Sequence, residues 1–330
     1  MKKWNLDPFK GYSGKLPWLK ERTIYMTIHG SHAYGTANEN SDIDIRGICI
    51  PPKEYFYGFT KFLGSDFEQV ILSEPYDLAI FDIRKFFFLA SNCNPNVVEL
   101  LFTETEDRLL ETSLFKKIHE NRSLFLTKKA RFTFGGYAKQ QLKRIKSHRA
   151  WLLNPPTQKP ERKDFGLSES HTLNPSDYGV AKNLLAKGVK VNENIMTVFH
   201  KERDYQNKLQ QWKQYHNWKK NRNSARAEIE AKFGYDVKHA GHLVRLLTSC
   251  KEILETGEYK VRRPDSEWLL EIKSGKWSYD ELIKWTDDYD KKNELAYQKS
   301  SLPMKPDADK IKSLCQEIVE ESLSVDNLQY

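Results

Sequence analysis

The stretch Gly30-Ser31-His32-Ala33-Tyr34-Gly35, followed by Ser41-Asp42-Ile43-Asp44-Ile45-Arg46-Gly47, decides how the chain reads. Its first part is a tight turn carrying a small hydroxyl. That turn follows the apolar run Ile24-Tyr25-Met26-Thr27-Ile28, which predicts a strand. The second part sets two carboxylates two residues apart in another strand-like run. Alternate residues of a strand share a face, so the spacing predicts that Asp42 and Asp44 project together while Ile43 and Ile45 point to the buried side. Two carboxylates that close repel each other unless a cation stands between them. Hard oxygen ligands in this arrangement predict a divalent ion, Mg²⁺. A Gly30-Ser31 turn beside the ion offers backbone N–H groups and a hydroxyl to the phosphates it binds.

Working outward, strands are expected at 23–28, 42–50, 67–72 and 77–83. Pro51-Pro52 stops the second, and Ser73-Glu74-Pro75 separates the third from the fourth. A helix is expected at 83–91, broken by Asn94-Pro95, and another from Asn96 through Leu101. This predicts a small mixed sheet with helices ending near residue 105. Beyond it, helix-period apolar residues fill 107–120 and 123–153. Residues 157–176 are polar and read as an exposed loop. Further helices are expected over 177–233, 236–256, 264–273, 278–298 and 307–322. The fold class is therefore α+β: a sheet-bearing domain at 1–105 followed by a larger, mostly helical domain at 106–330.

Charge divides along the same line. Residues 1–105 carry 11 Lys and Arg against 13 Asp and Glu, and the remainder carries 42 against 32. Within 116–163 there are 14 basic residues and two acidic ones, Glu120 and Glu161. A local excess of that size attracts a polyanion such as a nucleic acid. The four cysteines are isolated, with no CxxC pair and no zinc spacing, which suits a reduced, cytoplasmic setting. No apolar run approaches the length of a membrane span, and Met1-Lys2-Lys3 is followed by no apolar core of a signal peptide.

A Gly-Ser turn after one strand and D-x-D on the next resembles the signature of the DNA polymerase β nucleotidyltransferase superfamily. The wider wording, from Gly30-Ser31-His32-Ala33-Tyr34-Gly35 to Ser41-Asp42-Ile43-Asp44-Ile45-Arg46-Gly47-Ile48 and Pro51-Pro52, is similar to the RNA-ligase-associated nucleotidyltransferase family of RNA-repair operons. The segments beginning at Asp77, Asn94, Phe134 and Phe233 extend the resemblance to about residue 285.

The resemblance implies a third carboxylate on a neighbouring strand that coordinates a metal and accepts the proton of the attacking hydroxyl. Asp77 matches the family position best; Asp82 and Glu68 are the alternatives, Asp82 also suiting a helix cap. It further implies that Gly30 and Ser31 hold the β and γ phosphates of an NTP on two Mg²⁺ ions, with Mn²⁺ a substitute. Arg46, on the carboxylate face, is read either as a phosphate ligand or as a neutralising partner.

On the helix 236–256, Lys238, His242 and Arg245 fall within a narrow arc beside the apolar stripe. Related enzymes supply such groups to the triphosphate, so these three are expected to bind the nucleotide. Lys139, Lys143 and Lys146, flanked by Arg149, form a second stripe suited to a nucleic-acid backbone. The expected function is transfer of an NMP to a hydroxyl, with an RNA 3′ end, such as that of a tRNA under repair, as acceptor. Nucleotidylation of a protein or small molecule, and a catalytically silent RNA-binding scaffold, are the alternatives. Nothing in the sequence selects the NTP or the oligomeric state.

Overall fold

The computed structural model describes residues 4–58, 67–169, 175–188, 193–222 and 224–326. Five strands form one mixed sheet: β1 (Thr23–His29), β2 (Asp44–Cys49), β3 (Gln69–Leu72), β4 (Asp77–Asp82) and β5 (Arg108–Glu111), in the spatial order β3-β4-β2-β1-β5. The only parallel pair among them is β2 with β4; the other neighbours run antiparallel. The helices among the described residues are α1 (Gly30–Tyr34), α2 (Ile83–Ser91), α3 (Pro95–Val98), α4 (Ser113–Glu120), α5 (Ala130–Leu153), α6 (Pro175–Ala186), α7 (Glu193–Asn221), α8 (Ser224–Phe233), α9 (Val237–Thr256), α10 (Ser266–Lys273), α11 (Tyr279–Lys299) and α12 (Ala308–Asp326). This is the α+β architecture the patterning predicts.

The chain divides into two compact units, Met1–Lys143 with Val237–Tyr330, and Arg144–Asp236. In the first unit the period-two alternation of β1 explains how the sheet is covered. Met26 and Ile28 join Ile45, Leu78, Ile80 and Leu19 in one buried cluster, against which Trp4, Leu6, Phe9 and Trp18 of the N-terminal lead-in pack. Tyr25 points the other way and stacks on Phe115 of α4, ring centroids 3.5 Å apart. Its hydroxyl is satisfied by Thr103 at 2.5 Å, as a buried phenol requires. Helix α12 reaches α4 through Lys117, which donates to Glu317 and Glu321 at 2.7 and 2.5 Å. The second unit contains α6, α7 and α8 and the C-terminal part of α5, with Tyr215 buried against Trp151 and Trp218.

Three expectations are corrected. The helix expected at 107–120 is a strand at 108–111 and a helix from Ser113, capped by the Thr112 hydroxyl, which accepts from the Phe115 amide at 3.4 Å. Leu109 and Leu110 are drawn into extended form by pairing with β1, a long-range partner that local periodicity cannot report. The helix expected from 123 begins at Ala130, and Asn96–Leu101 divides into α3 and a 3₁₀ turn, Glu99–Phe102. Of the polar segment 157–176, residues 170–174 lie outside the described residues, as do 189–192 and 223 of the helical stretch 177–233.

Candidate active site

The sheet register assembles the site. Asp44, the first residue of β2, stands opposite His29 on β1 and opposite Asp77 on β4. The Asp77 amide donates to the Ile43 carbonyl at 3.2 Å, which fixes β4 alongside the entrance of β2. Gly30 follows His29 directly and adopts a left-handed conformation with φ of +65°. A Cβ there would fall 2.1 Å from Asp44 Oδ2, so only glycine lets the backbone pass that carboxylate. Ser31 lies in α1, which closes with the Thr36 amide donating to the Ser31 carbonyl at 2.9 Å.

Burial and crowding both bear on Asp44. Burial raises the Asp44 carboxyl above its ordinary range; Arg46 and His29 oppose this, and the like charge and hydrogen bond of Asp77 add to it. Arg46 supplies the positive charge: its guanidinium donates to the Asp77 carbonyl at 2.6 Å, lies 3.4 Å from Asp77 Oδ1, and stands 3.9 Å from Asp44 Oδ1. Of the two readings of Arg46, these contacts match the neutralising one.

Asp42 is placed differently from the strand-face expectation. Regular pairing of β2 starts at Asp44, and Asp42 is exposed in the segment before it. Among the described residues, the group of three ligand atoms all within 4.8 Å of one another is His148, Glu230 and Asp236 in the second unit, not the three aspartates. The Glu230 carboxyl there already has Arg222 and His148 as partners, which hold it below its ordinary range against the opposing effect of burial. Within that trio Glu230 is already paired, and Asp236 is buried beside it. The Asp44–Asp77 pair, by contrast, has the donor chemistry a hard divalent ion takes, two carboxyl groups side by side on adjacent strands.

The alternatives for the third carboxylate lie elsewhere. Asp82 pairs with Cys49 at the far end of the β2–β4 ladder and caps α2, accepting from the Arg84 amide at 2.7 Å. Glu68 is engaged by Lys85 at 2.7 Å.

The cationic edge of α9 is not uniform. Lys238 is exposed. Arg245 is 3% exposed, donates to Glu99 Oε2 at 3.2 Å and to the Tyr259 hydroxyl at 3.1 Å, and lies 3.8 Å from the centroid of the Tyr34 ring. A buried guanidinium needs a buried carboxylate, and Glu99 provides it. Glu99 also takes an ion pair from His29 and the Tyr34 hydroxyl at 2.9 Å. Burial and Arg245 push His242 down to about 3, so its ring is neutral at pH 7, with Nδ1 accepting from Arg245 at 3.4 Å. It is a hydrogen-bonding group and not a cation.

Sequence reasoning missed two residues. Glu99 gave no sign beyond its apolar neighbours Val98 and Leu100. Lys273 resembles an ordinary lysine in the last turn of α10. Its ammonium donates to Thr36 Oγ1 at 2.8 Å and stands 3.4 Å from the Thr36 carbonyl. On α5, Lys139, Lys143 and Lys146 are exposed, and Lys139 is 3.8 Å from Asp290. Arg149 is engaged locally, donating to the Gly234 carbonyl at 2.9 Å.

Residues 10–154 match the family described as the RNA repair pathway DNA polymerase beta family, the one the opening motif resembles. Lys238, His242 and Arg245 lie outside that match. The chain is 24% identical over 298 residues to an uncharacterized 38.9 kDa protein in the nrdC-mobD intergenic region of Enterobacteria phage T4, covering 81% of this chain and 87% of that protein. It is 26% identical over 196 residues to the uncharacterized protein YcgL of Bacillus subtilis (strain 168), covering 55% of this chain and 70% of that one. No solved structure matches the chain. Among the described residues, no helix is long and apolar enough to cross a membrane.

Proposed function

We propose that this chain transfers an NMP from an NTP to a hydroxyl, with pyrophosphate leaving, and that the acceptor is an RNA 3′ end, such as that of a tRNA under repair. The observation that carries this reading is the Asp44–Asp77 pair on adjacent strands with Gly30 pressed against Asp44. In this reading residues 1–105 carry the chemistry, and 106–330 bind nucleotide and RNA. Two Mg²⁺ ions, or Mn²⁺, held by Asp42, Asp44 and Asp77 would polarise the attacking and leaving oxygens. Asp77, half-exposed beside Asp44, takes the proton of the attacking hydroxyl. Gly30 and Ser31 hold the phosphates from one side and Lys238 from the other. Lys139, Lys143 and Lys146 hold the RNA backbone without reading its sequence. The basic stretch 116–163 and the matched family's description support RNA as the acceptor.

The test incubates the full chain with Mg²⁺, total RNA and each α-³²P-labelled NTP in turn. Label in RNA that a 3′ phosphate abolishes and removal of that phosphate restores is the expected result. Label in protein or in a small molecule moves the acceptor and overturns the RNA assignment. Tight RNA binding with no label anywhere and no metal binding makes the chain a scaffold and overturns the enzyme reading.

A further inference from the structure

Between α9, α10 and the end of α1, positive charge outruns its partners. Arg245 is matched by Glu99, which His29 also engages. Lys273 and Lys238 have no carboxylate partner among the described residues. The Lys273 ammonium rests on the hydroxyl and carbonyl of Thr36, neutral acceptors that leave its charge uncompensated. Its stem is threaded past Gly241: a Cβ at that position would lie 2.7 Å from Lys273 Cγ and 3.2 Å from Cε. Gly241 has no positive φ and sits inside a helix, where glycine costs stability relative to alanine. The notch therefore serves the lysine and not the backbone. Helix α10 also begins against α1, with Ser266 Cβ 3.6 Å from where a Gly35 Cβ would stand.

We propose that Lys273, seated in the Gly241 notch, is a ligand for the outer phosphates of the nucleotide, with Lys238 beside it. The inference rests on the nucleotidyltransferase reading and names a subsite within it. Helix α1 carries Ser31 in its first turn, and the chain folds back at Gly35 so that the Thr36 amide donates to the Ser31 carbonyl at 2.9 Å. Phosphates held at Ser31 are thus within reach of an ammonium at Thr36. A polyphosphate supplies the counter-charge that Lys273 and Lys238 lack, whereas a nucleoside monophosphate, held at the metal end, does not extend to them.

Protonation gives the subsite a signature. Burial, then Arg245 and Lys238 on α9, lower Lys273 to about 8, while Thr36 on its other side is neutral and His242 is uncharged. The cation that grips phosphate is therefore lost as pH rises through that value, long before an ordinary lysine would lose its proton.

The experiment is calorimetric titration of the full chain, with Mg²⁺, against ATP, GTP, CTP and UTP and their monophosphates, for wild type, Lys273→Met, Lys273→Arg and Gly241→Ala. Lys273→Met keeps the stem, and Gly241→Ala displaces it while favouring the helix. The expected result is a loss of about tenfold or more in NTP affinity for both, with monophosphate affinity held within about twofold. Wild-type NTP affinity is expected to fall between pH 7 and 9, and Lys273→Arg to keep its affinity over that range. If wild type binds NTP and both displacing variants bind it equally well, Lys273 is only a cap for α1 and the inference falls while the reading stands. Equal losses for NTP and monophosphate also overturn it, in favour of a structural role. If wild type binds no nucleotide, the nucleotidyltransferase reading itself fails and the subsite with it.

Discussion

Gly30 lies directly against Asp44, so that a Cβ at position 30 would stand 2.1 Å from the carboxylate oxygen Oδ2. Gly30→Ala must both hold a left-handed φ and push Asp44 aside. The first costs roughly 1–2 kcal/mol. The second moves a proposed metal ligand, and displacement of that kind costs about 10–100-fold in metal affinity or activity. Thermal melts and Mn²⁺ titration should show both losses. In an Asp44→Ala background the stability cost should shrink toward the backbone part alone, because the clash is gone.

Asp77→Asn separates the proposed base from the capping carboxylate. Loss of nucleotidyl transfer by roughly 10²–10⁴-fold is expected, with the fold intact, because Asp77 is half-exposed and ends no core contact. Asp82→Asn should do the reverse. It keeps a capping oxygen on α2 but loses the ion pair with Arg84, so it lowers stability and leaves activity per folded molecule in place. If Asp77→Asn keeps full metal-dependent activity while Asp44→Asn has none, the assignment of Asp77 is wrong.

The same pair sets a pH dependence. Asp44 is raised above its ordinary value of 3.8 by burial first and by Asp77 in part. The folded state therefore keeps this proton to a higher pH than an unfolded aspartate does. Ionising it costs the metal-free fold, so its contribution to stability falls as pH rises through the raised value. A divalent ion must displace that proton, so metal affinity should weaken on acidification at a pH above 3.8. Asp77→Asn removes the like charge and should move that weakening to lower pH, as read by Mn²⁺ titration across pH.

How much of this was legible in the sequence follows from which forces are local. The alternation in 23–28 and the breakers Pro51-Pro52 and Glu74-Pro75 are local, and they place β1, β2 and β4. The motif resemblance implied a third carboxylate on a neighbouring strand, but the adjacency of Asp44 and Asp77 needs the parallel register of β2 and β4, which no spacing could give. Arg245 fell on the right arc of its helix, but what covers that arc is Tyr34, Tyr259 and Glu99, from 211 residues before it to 14 after it in the chain. Helix periodicity reports a face and not its neighbour. Lys273 was invisible for the same reason: its meaning comes from Gly241 and Thr36, both remote.

Arg245 and Lys238 should part company when each is truncated. Arg245→Met leaves Glu99 buried with His29 and the Tyr34 and Tyr259 hydroxyls but without its guanidinium, and breaking a buried pair from one side costs about 3–5 kcal/mol. Lys238→Ala touches an exposed chain and should leave the melting temperature nearly unchanged while lowering NTP affinity. Acid adds a check. Burial alone would raise the Glu99 carboxyl, but His29, Arg245 and the Tyr34 hydroxyl hold it well below its ordinary value of 4.5. A carboxylate held low contributes stability that is complete above that value and drains away as pH falls beneath it. Wild type should therefore lose stability steeply below about pH 4.5, and Glu99→Gln, less stable at neutral pH, should show a flatter acid limb in melts run across pH.

The stripe on α5 carries the last prediction. Lys139, Lys143 and Lys146 are exposed, with one loose partner in Asp290, so their removal should not disturb packing. If each meets one phosphate of single-stranded RNA, each contributes about 0.7 to the slope of log affinity against log salt. Changing all three to glutamine should therefore flatten that slope by about 2, alike for unrelated sequences, because backbone contacts position without specifying. Arg149 serves as the internal control. Its guanidinium satisfies the Gly234 carbonyl, so Arg149→Gln should lower thermal stability and leave the salt slope near its wild-type value. Filter binding at several salt concentrations distinguishes the two outcomes. An unchanged slope in the triple variant would remove α5 from the RNA path.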